Sequence, residues 1–353
     1  MHLYFLVSAI LAAAVNCINT SPETAAIRTF FYVGGDYTED GAGGHIFHNQ
    51  MYVEKLSPMN PQSGDPVPIV LIHGQAQTGT NFLNKPDGGK SWASHFLDAG
   101  HTVYIVDQTF RGRSAWAPRA GADSPSTYSA EWIQQRFTAP KRYSLWPQAK
   151  LHTQWPGTGV MGDAVFDAFY SSNVQFIANA TYQQETVQAA GAQLLDMIGK
   201  PVWLVGHSQG GLMPLLIADA RPKLVKGLIL LEPSGPPFQD AVFSNKSARN
   251  WGLTDIPLQY SPPVQDPLTE LVRQIVSPPQ GSANATIPCV LQSEDPPPRQ
   301  LPNLSLYLFS SLREKRAIIR FTTIARFDFC SRLVALEVHI WSLGRSTFTV
   351  MGI

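Results

Sequence analysis

Short apolar runs separated by polar turns dominate the first half of the chain. Thr29-Tyr32, His45-Val53, Val67-Ile72 and Thr102-Val106 read as extended segments, the last ending at Asp107. A short helix is expected through Trp92-Leu97. Farther on, Val187, Ala190, Leu194 and Ile198 recur on one face of a helix, followed by the strand Val202-Val205. A helix through Leu212-Ala220 and a strand over Leu228-Leu231 come next. Unbroken apolar strands alternating with helical patterns predict a largely parallel sheet covered on both faces. The fold class is α/β.

Two stretches break this rhythm. Residues from about 114 to 180 are rich in aromatic side chains, among them Trp116, Trp132, Tyr143, Trp146, Trp155, Phe166, Phe169 and Tyr170. A long insert of this kind reads as a functional lid or binding insert, or as an excursion packed on its own aromatics. Residues from about 233 to 302 are Pro-rich, with one expected helix capped by Asp266, started by Pro267 and striped by Leu268, Leu271, Val272 and Ile275. Both stretches are expected to form a cap inserted into the sheet domain.

The chain has 353 residues, enough for one large domain with a cap. Lys and Arg number 26 against 26 for Asp and Glu, so no basic field exists to draw in nucleic acid. Leu3 to Val15 are almost wholly apolar, too short to span a bilayer but suited to a signal-peptide core, and residues 1–17 are read as a cleaved leader. Sequons at Asn19, Asn179, Asn245, Asn284 and Asn303 agree with a secreted, extracellular glycoprotein. No second apolar run approaches membrane length, so residues 18–353 are expected to form one domain without a stable membrane anchor. Cys289 and Cys330 remain after cleavage, and whether they pair is open.

The chemistry centres on Gly206-His207-Ser208-Gln209-Gly210. The pentapeptide alone is a weak signal, but a buried strand precedes it and Gly210-Gly211-Leu212-Met213 begins a helix after it. So tight a turn needs neighbours without Cβ atoms, and it leaves Ser208 exposed near a helix N-terminus. An acyl-transfer serine also needs an oxyanion hole. The backbone N–H of Gln209 is one candidate donor, and that of Gln75, in the loop His73-Gly74-Gln75 after its strand, is the other. His73 reads as structural. Glu232, a lone carboxylate at the end of an apolar run, reads as the acid that orients an imidazole, and Asp107 as a brace for the Arg111 loop.

From about Phe31 to Ser305 the chain resembles the secreted α/β-hydrolase esterases of fungi and related bacterial esterases. The resemblance rests on Gln50-Met51-Tyr52-Val53-Glu54, Leu71-Ile72-His73-Gly74, Gln77-Thr78-Gly79-Thr80-Asn81-Phe82-Leu83, Val106-Asp107-Gln108, Arg111-Gly112-Arg113-Ser114, Gly206-His207-Ser208-Gln209-Gly210 and Leu231-Glu232-Pro233. It implies an α/β-hydrolase fold, a small-molecule ester substrate, no metal or organic cofactor, and a Ser-Glu-His triad using Ser208 and Glu232. The group ends in a loop like His-Gly-Asn-Gly-His, whose last histidine is the base. Here residues 306–353 form an atypical, Arg-rich tail, and His339 is the one histidine after Ser208. Either His339 serves as base or the tail is out of frame and the base is lost. The corresponding functions are a serine carboxylesterase, or a catalytically impaired relative that binds a small apolar ligand.

Overall fold

Six strands build the central sheet of the computed structural model, which describes residues 23–60, 63–86, 88–116, 125–240, 244, 246–276, 289–308, 339–341 and 347–349. They are β1 (Ala26–Val33), β2 (Met51–Pro58), β3 (Ile69–Ile72), β4 (Val103–Asp107), β5 (Val202–His207) and β6 (Val225–Leu231), in the spatial order β1-β2-β4-β3-β5-β6. The pairs β4/β3, β3/β5 and β5/β6 are parallel, and β1/β2 and β2/β4 are antiparallel. Every residue of β3 and β4 is buried, as the continuous apolar runs require.

Successive side chains leave opposite faces of a strand, and the core divides accordingly. Val70, Ile72, Val106 and Leu204 face one layer, where they meet Val187, Leu194, Leu195, Leu216 and Ile217. Leu71, Ile105 and Val205 face the other, packed with Phe82, Ala93 and Leu97. Helices α1 (Trp92–Asp98), α3 (Ala180–Ile198), α4 (Met213–Ala220) and α5 (Pro302–Leu308) cover the sheet, and α2 (Ala164–Tyr170) lies in the aromatic insert. Ser91 caps α1 through a bond from Ser94 N–H, and Asn179 caps α3 through one from Tyr182 N–H.

The extended run expected over His45-Val53 is interrupted. His45–His48 pairs back with Asp36–Glu39, and β2 begins only at Met51. Asn49 lies between them at φ 65°, a left-handed conformation that asparagine tolerates well. The helix expected from Pro267 to Ile275 is also shorter than its apolar pattern. It spans Pro267–Glu270, with Asp266 capping Leu268 N–H as anticipated, and Arg273–Val276 is a strand paired with Cys289–Gln292. The β-branched Val272, Ile275 and Val276 favour the sheet. Leu271 is the buried member of the supposed stripe, at 1% exposure against 75% for Ile275.

In the aromatic insert, Tyr128 stacks on Trp132 with ring centroids 4.0 Å apart, Phe166 on Tyr170 at 5.7 Å, and Trp155 meets Phe169 edge-on at 5.5 Å. These rings surround a separate small core of Ala130, Ile133, Phe166 and Phe169. The second stretch contributes Phe238, Ile256, Leu258, Tyr260 and Leu271 to the main core. The leader at 1–17, three of the sequons (Asn19, Asn245 and Asn284), Cys330 and the side chains of Cys289 and His339 lie outside the described residues. Asn303, another sequon, spends its side-chain amide on Asp219 O, Asp219 Oδ1 and Gln259 Oε1.

Asp107, at the end of β4, ties three segments together. Its carboxylate accepts from Gly79 N–H (2.7 Å), Arg113 N–H (2.9 Å) and the Arg113 guanidinium (2.8 and 3.1 Å). Arg113 also bonds buried Glu54 on β2. Burial alone pushes the Asp107 carboxyl pKa up, but the bonds from Arg113 and Gly79 outweigh burial and leave it lowered. A lowered folded-state pKa gives stabilisation that is full above the unfolded value near 4 and lost as pH falls through the folded value. Asp107→Asn is therefore expected to destabilise the protein by about 3 kcal/mol at neutral pH, and the deficit should shrink in denaturant titrations repeated below about pH 4. The corrected element near residue 270 makes a separate prediction. Leu271→Ala should cost roughly 2–5 kcal/mol, whereas Ile275→Ala should stay within about 0.5 kcal/mol in the same assay.

Candidate active site

The carboxyl ends of the four parallel strands converge on one edge of the sheet, the usual ligand position in such folds. Ile72 pairs with Gly206, and His207 with Leu231. Ser208 and Glu232 are each the first residue past that last pair, so they start adjacent loops on neighbouring strands about 4.8 Å apart. Both have positive φ, 54° at Ser208 and 45° at Glu232. Such left-handed geometry is costly for residues with a Cβ and persists where surrounding structure imposes it. Ser234 N–H donates to Ser208 O at 3.0 Å and links the two loops.

The turn at Ser208 is imposed by contact between backbones. A Cβ on Gly206 would stand 2.3 Å from Gly210 O, and one on Gly210 would stand 2.0 Å from His73 O. The anticipated glycine requirement is thus met, with the added finding that Gly210 presses on the loop after β3. Ser208–Gly211 form one 3-10 turn leading into α4. The first N–H groups of such a turn lack an intrahelical acceptor, and Gln209 N–H has none among the described residues. Gln75 N–H is likewise without a described acceptor. A Cβ on Gly74 would lie 3.1 Å from Ser208 Cβ, so the Gly74–Gln75 segment stands beside the serine.

His73 is fully buried at this junction. Its Nε2 accepts from Gln108 N–H at 2.9 Å, and its Nδ1 lies 2.9 Å from Gly74 O. A carbonyl only accepts, so Nδ1 carries the proton and donates. Both ring nitrogens are engaged, in keeping with a structural histidine. Burial, then the Arg111 charge, lowers its pKa to about 3, and burial lowers that of His207 to about 4. Both rings are neutral near pH 7.

Arg111 was legible in the sequence only as part of a motif. In the structure its side chain is fully buried beneath the Gln75 loop, where Nη2 donates to Gln75 Oε1 at 2.8 Å and Nη1 to Gly74 O at 3.3 Å. The brace from Asp107 goes to its neighbour Arg113. Gln108 Nε2 bonds both His73 O (2.5 Å) and Gln209 Oε1 (3.1 Å), joining the two loops from below.

Glu232 is exposed to water but crowded by protein, and desolvation raises its carboxyl pKa. No side chain among the described residues bonds it. His339 belongs to a two-stranded ribbon, His339–Trp341 with Thr347–Thr349. Beside Gln75 and Gln209 opens a cleft of about 130 Å³ whose walls include Gln183, Gln184, Ser234 and Asp255. Ile177, Ala178 and Leu212 line it as well, so its walls mix apolar and polar side chains. Among the described residues no cluster of three or more His, Cys, Asp or Glu side chains is suited to a metal, and no helix is long and apolar enough to cross a membrane.

Comparison with known proteins identifies the family. A profile described as the alpha/beta hydrolase family matches residues 69–332. A fungal protein (Fungal sp., strain ATCC 74256) named as a probable secreted lipase is 44% identical over 308 residues, covering 86% of this chain and 79% of its own. Among solved structures, one described as a novel bacterial esterase has TM-score 0.48 at 23% identity, covering 62% of this chain and 73% of its own. Naproxen esterase from Bacillus subtilis has TM-score 0.28 at 14% identity, over 60% and 45%. The mostly parallel sheet, the serine turn at its carboxyl edge and the family match together place this chain in the alpha/beta hydrolase family.

Proposed function

We propose that the protein is a secreted serine hydrolase that cleaves carboxylic esters through an acyl-enzyme on Ser208. The observation that carries this reading is the pairing of a strained serine with two backbone N–H groups, those of Gln209 and Gln75, that have no described acceptor. In the first half-reaction Ser208 Oγ bonds to the carbonyl carbon, its proton passes to a base, and the C=O π pair moves onto oxygen. The two N–H groups receive that oxyanion. The pair then returns, the C–O bond to the alcohol breaks, and the alcohol leaves with the proton. Water repeats the sequence and releases the acid. Glu232, on the loop beside Ser208, is suited to orient the base. The leader-like segment at 1–17 and the name of the fungal relative support secretion.

The substrate class follows from the cleft. Its volume of about 130 Å³ suits a short acyl or alcohol group better than a long hydrocarbon chain. With a panel of esters of one alcohol, kcat/KM should peak at short acyl chains and fall by at least about tenfold by the long ones. A rising profile would contradict this assignment.

A second reading has one observation in its favour. Among the described residues no imidazole bonds Ser208 or Glu232, and His73 has both nitrogens occupied. A hydrolase fold that binds a ligand without turnover is the outcome if no base reaches the serine. Fluorophosphonate labelling separates the two. The esterase reading expects rapid labelling that disappears in Ser208→Ala and slows by on the order of 10²-fold or more in Glu232→Gln, while a folded, unlabelled chain supports the binder.

A further inference from the structure

Arg111 presents a physical problem that the reading above does not use. Its side chain is 0% exposed, and no carboxylate among the described residues pairs with it. Its Nε is buried without an acceptor, and its guanidinium lies 5.7 Å from the Phe176 ring centroid. Burying a cation with no counter-charge is among the most unfavourable arrangements a fold can hold. Nearby carboxylates do exist. Asp107 lies four residues earlier, but its oxygens are taken by Arg113 and Gly79 N–H. The fold therefore keeps a charge beneath the Gln75 loop and withholds a partner from it.

The hydrogen bonds indicate a use for that charge. Gly74 O and Gln75 N–H are the two ends of one peptide unit, and in a trans peptide they point in opposite directions. Gly74 O accepts from His73 Nδ1 at 2.9 Å and from Arg111 Nη1 at 3.3 Å. The Gln108 N–H bond to Nε2 fixes the His73 tautomer that makes the first of these possible. Arg111 Nη2 holds the Gln75 side chain as well, at 2.8 Å. Two donors on the carbonyl end orient the peptide and polarise its N–H end.

We propose that Arg111, acting with His73, is the positioning residue of the oxyanion site, gripping Gly74 O so that Gln75 N–H faces the ester carbonyl. In this role the missing counter-ion is the oxyanion itself. When Ser208 Oγ bonds to the carbonyl carbon and the π pair moves onto oxygen, the negative charge forms across one peptide unit from the guanidinium. Neutral substrate lacks that charge, so the attraction is specific to the transition state and raises kcat more than it lowers KM. Burial lowers the Arg111 pKa to about 10, which leaves it charged at neutral pH. This proposal rests on the serine-hydrolase reading given above.

The test compares wild type with Arg111→Met, Arg111→Gln and Arg111→Lys, each first checked for folding by thermal melting. Two ligand series are used, an alkylboronic acid that forms an anionic tetrahedral adduct on Ser208 and a neutral amide of the same size. Fluorophosphonate inactivation adds a rate, with the Oγ–P bond forming as fluoride leaves. Arg111→Met should slow maximal inactivation by on the order of 10²-fold with half-saturation changed by less than about threefold. Boronate affinity should fall by a similar factor and amide affinity should hold. Arg111→Lys should recover part of the loss, since it keeps the charge and gives up the fork. If Arg111→Met does not fold, Arg111→Gln, which retains a donor for Gly74 O but no charge, must still lose boronate over amide selectivity. Equal loss of both ligands, or variants matching wild type while wild type labels, overturns the role of Arg111. A folded wild type that neither labels nor binds boronate overturns the hydrolase reading and this proposal with it.

Discussion

The structure at the sheet edge depends on one backbone contact, the seating of Gly210 against the carbonyl of His73. At that separation no side chain fits on residue 210, since an added Cβ would reach within 2.0 Å of His73 O. The contact presses the turn after β5 onto the loop after β3, and both strands run in parallel register directly below. Ser208 takes its left-handed φ because the chain must turn between β5 and α4 in the space this contact leaves. The same approach places the Gly74–Gln75 peptide beside the serine. Position and strain at the site thus have a common origin in strand register and a missing methyl group.

That origin explains which parts were legible in the sequence. The parallel strands announce themselves as unbroken apolar runs, because both of their faces are covered, and the turn announces itself through paired glycines. Residues 45–53 and 266–275 were harder. An apolar pattern of that length fits a helix or a strand, and pairing with the distant Cys289–Gln292 decided the outcome at Arg273–Val276. Aromatic composition marks residues 114–180 as unlike the strands around them, yet it gave no sign that the rings stack on one another. Which surface an aromatic covers is a tertiary property that local pattern does not encode.

Arg111 shows the same limit for charge. As a residue in an Arg-Gly-Arg-Ser run it looks like a solvated loop arginine, and so does Arg113 two positions on. The fold assigns them opposite electrostatic situations. Arg113 lies between Asp107 and Glu54, while Arg111 is enclosed with carbonyl and amide oxygens and an aromatic face. The difference arises because Asp107, the nearest acid in sequence, has all its accepting directions filled by the segments it braces. One carboxylate's saturation leaves the neighbouring guanidinium uncompensated.

The proposed site therefore has two parts with different physical foundations. Its charge-stabilising part is made of backbone groups and buried side chains locked by the registers of β3, β4 and β5, and it exists before any ligand arrives. Such preorganisation is what makes dipoles effective in catalysis, since no energy is spent reorienting them as charge develops. Its proton-transfer part needs a titratable ring within reach of Ser208, and among the described residues no imidazole bonds it. Glu232 stands exposed on the rim, and crowding by protein raises its carboxyl pKa. An imidazolium beside it would lower that pKa and have its own raised in return, so in the proposed triad acid and base would stabilise each other's charged forms. In the proposed mechanism, charge is thus stabilised by groups that the sheet holds in place, whereas the proton acceptor is not among the described residues bonded to Ser208 or Glu232.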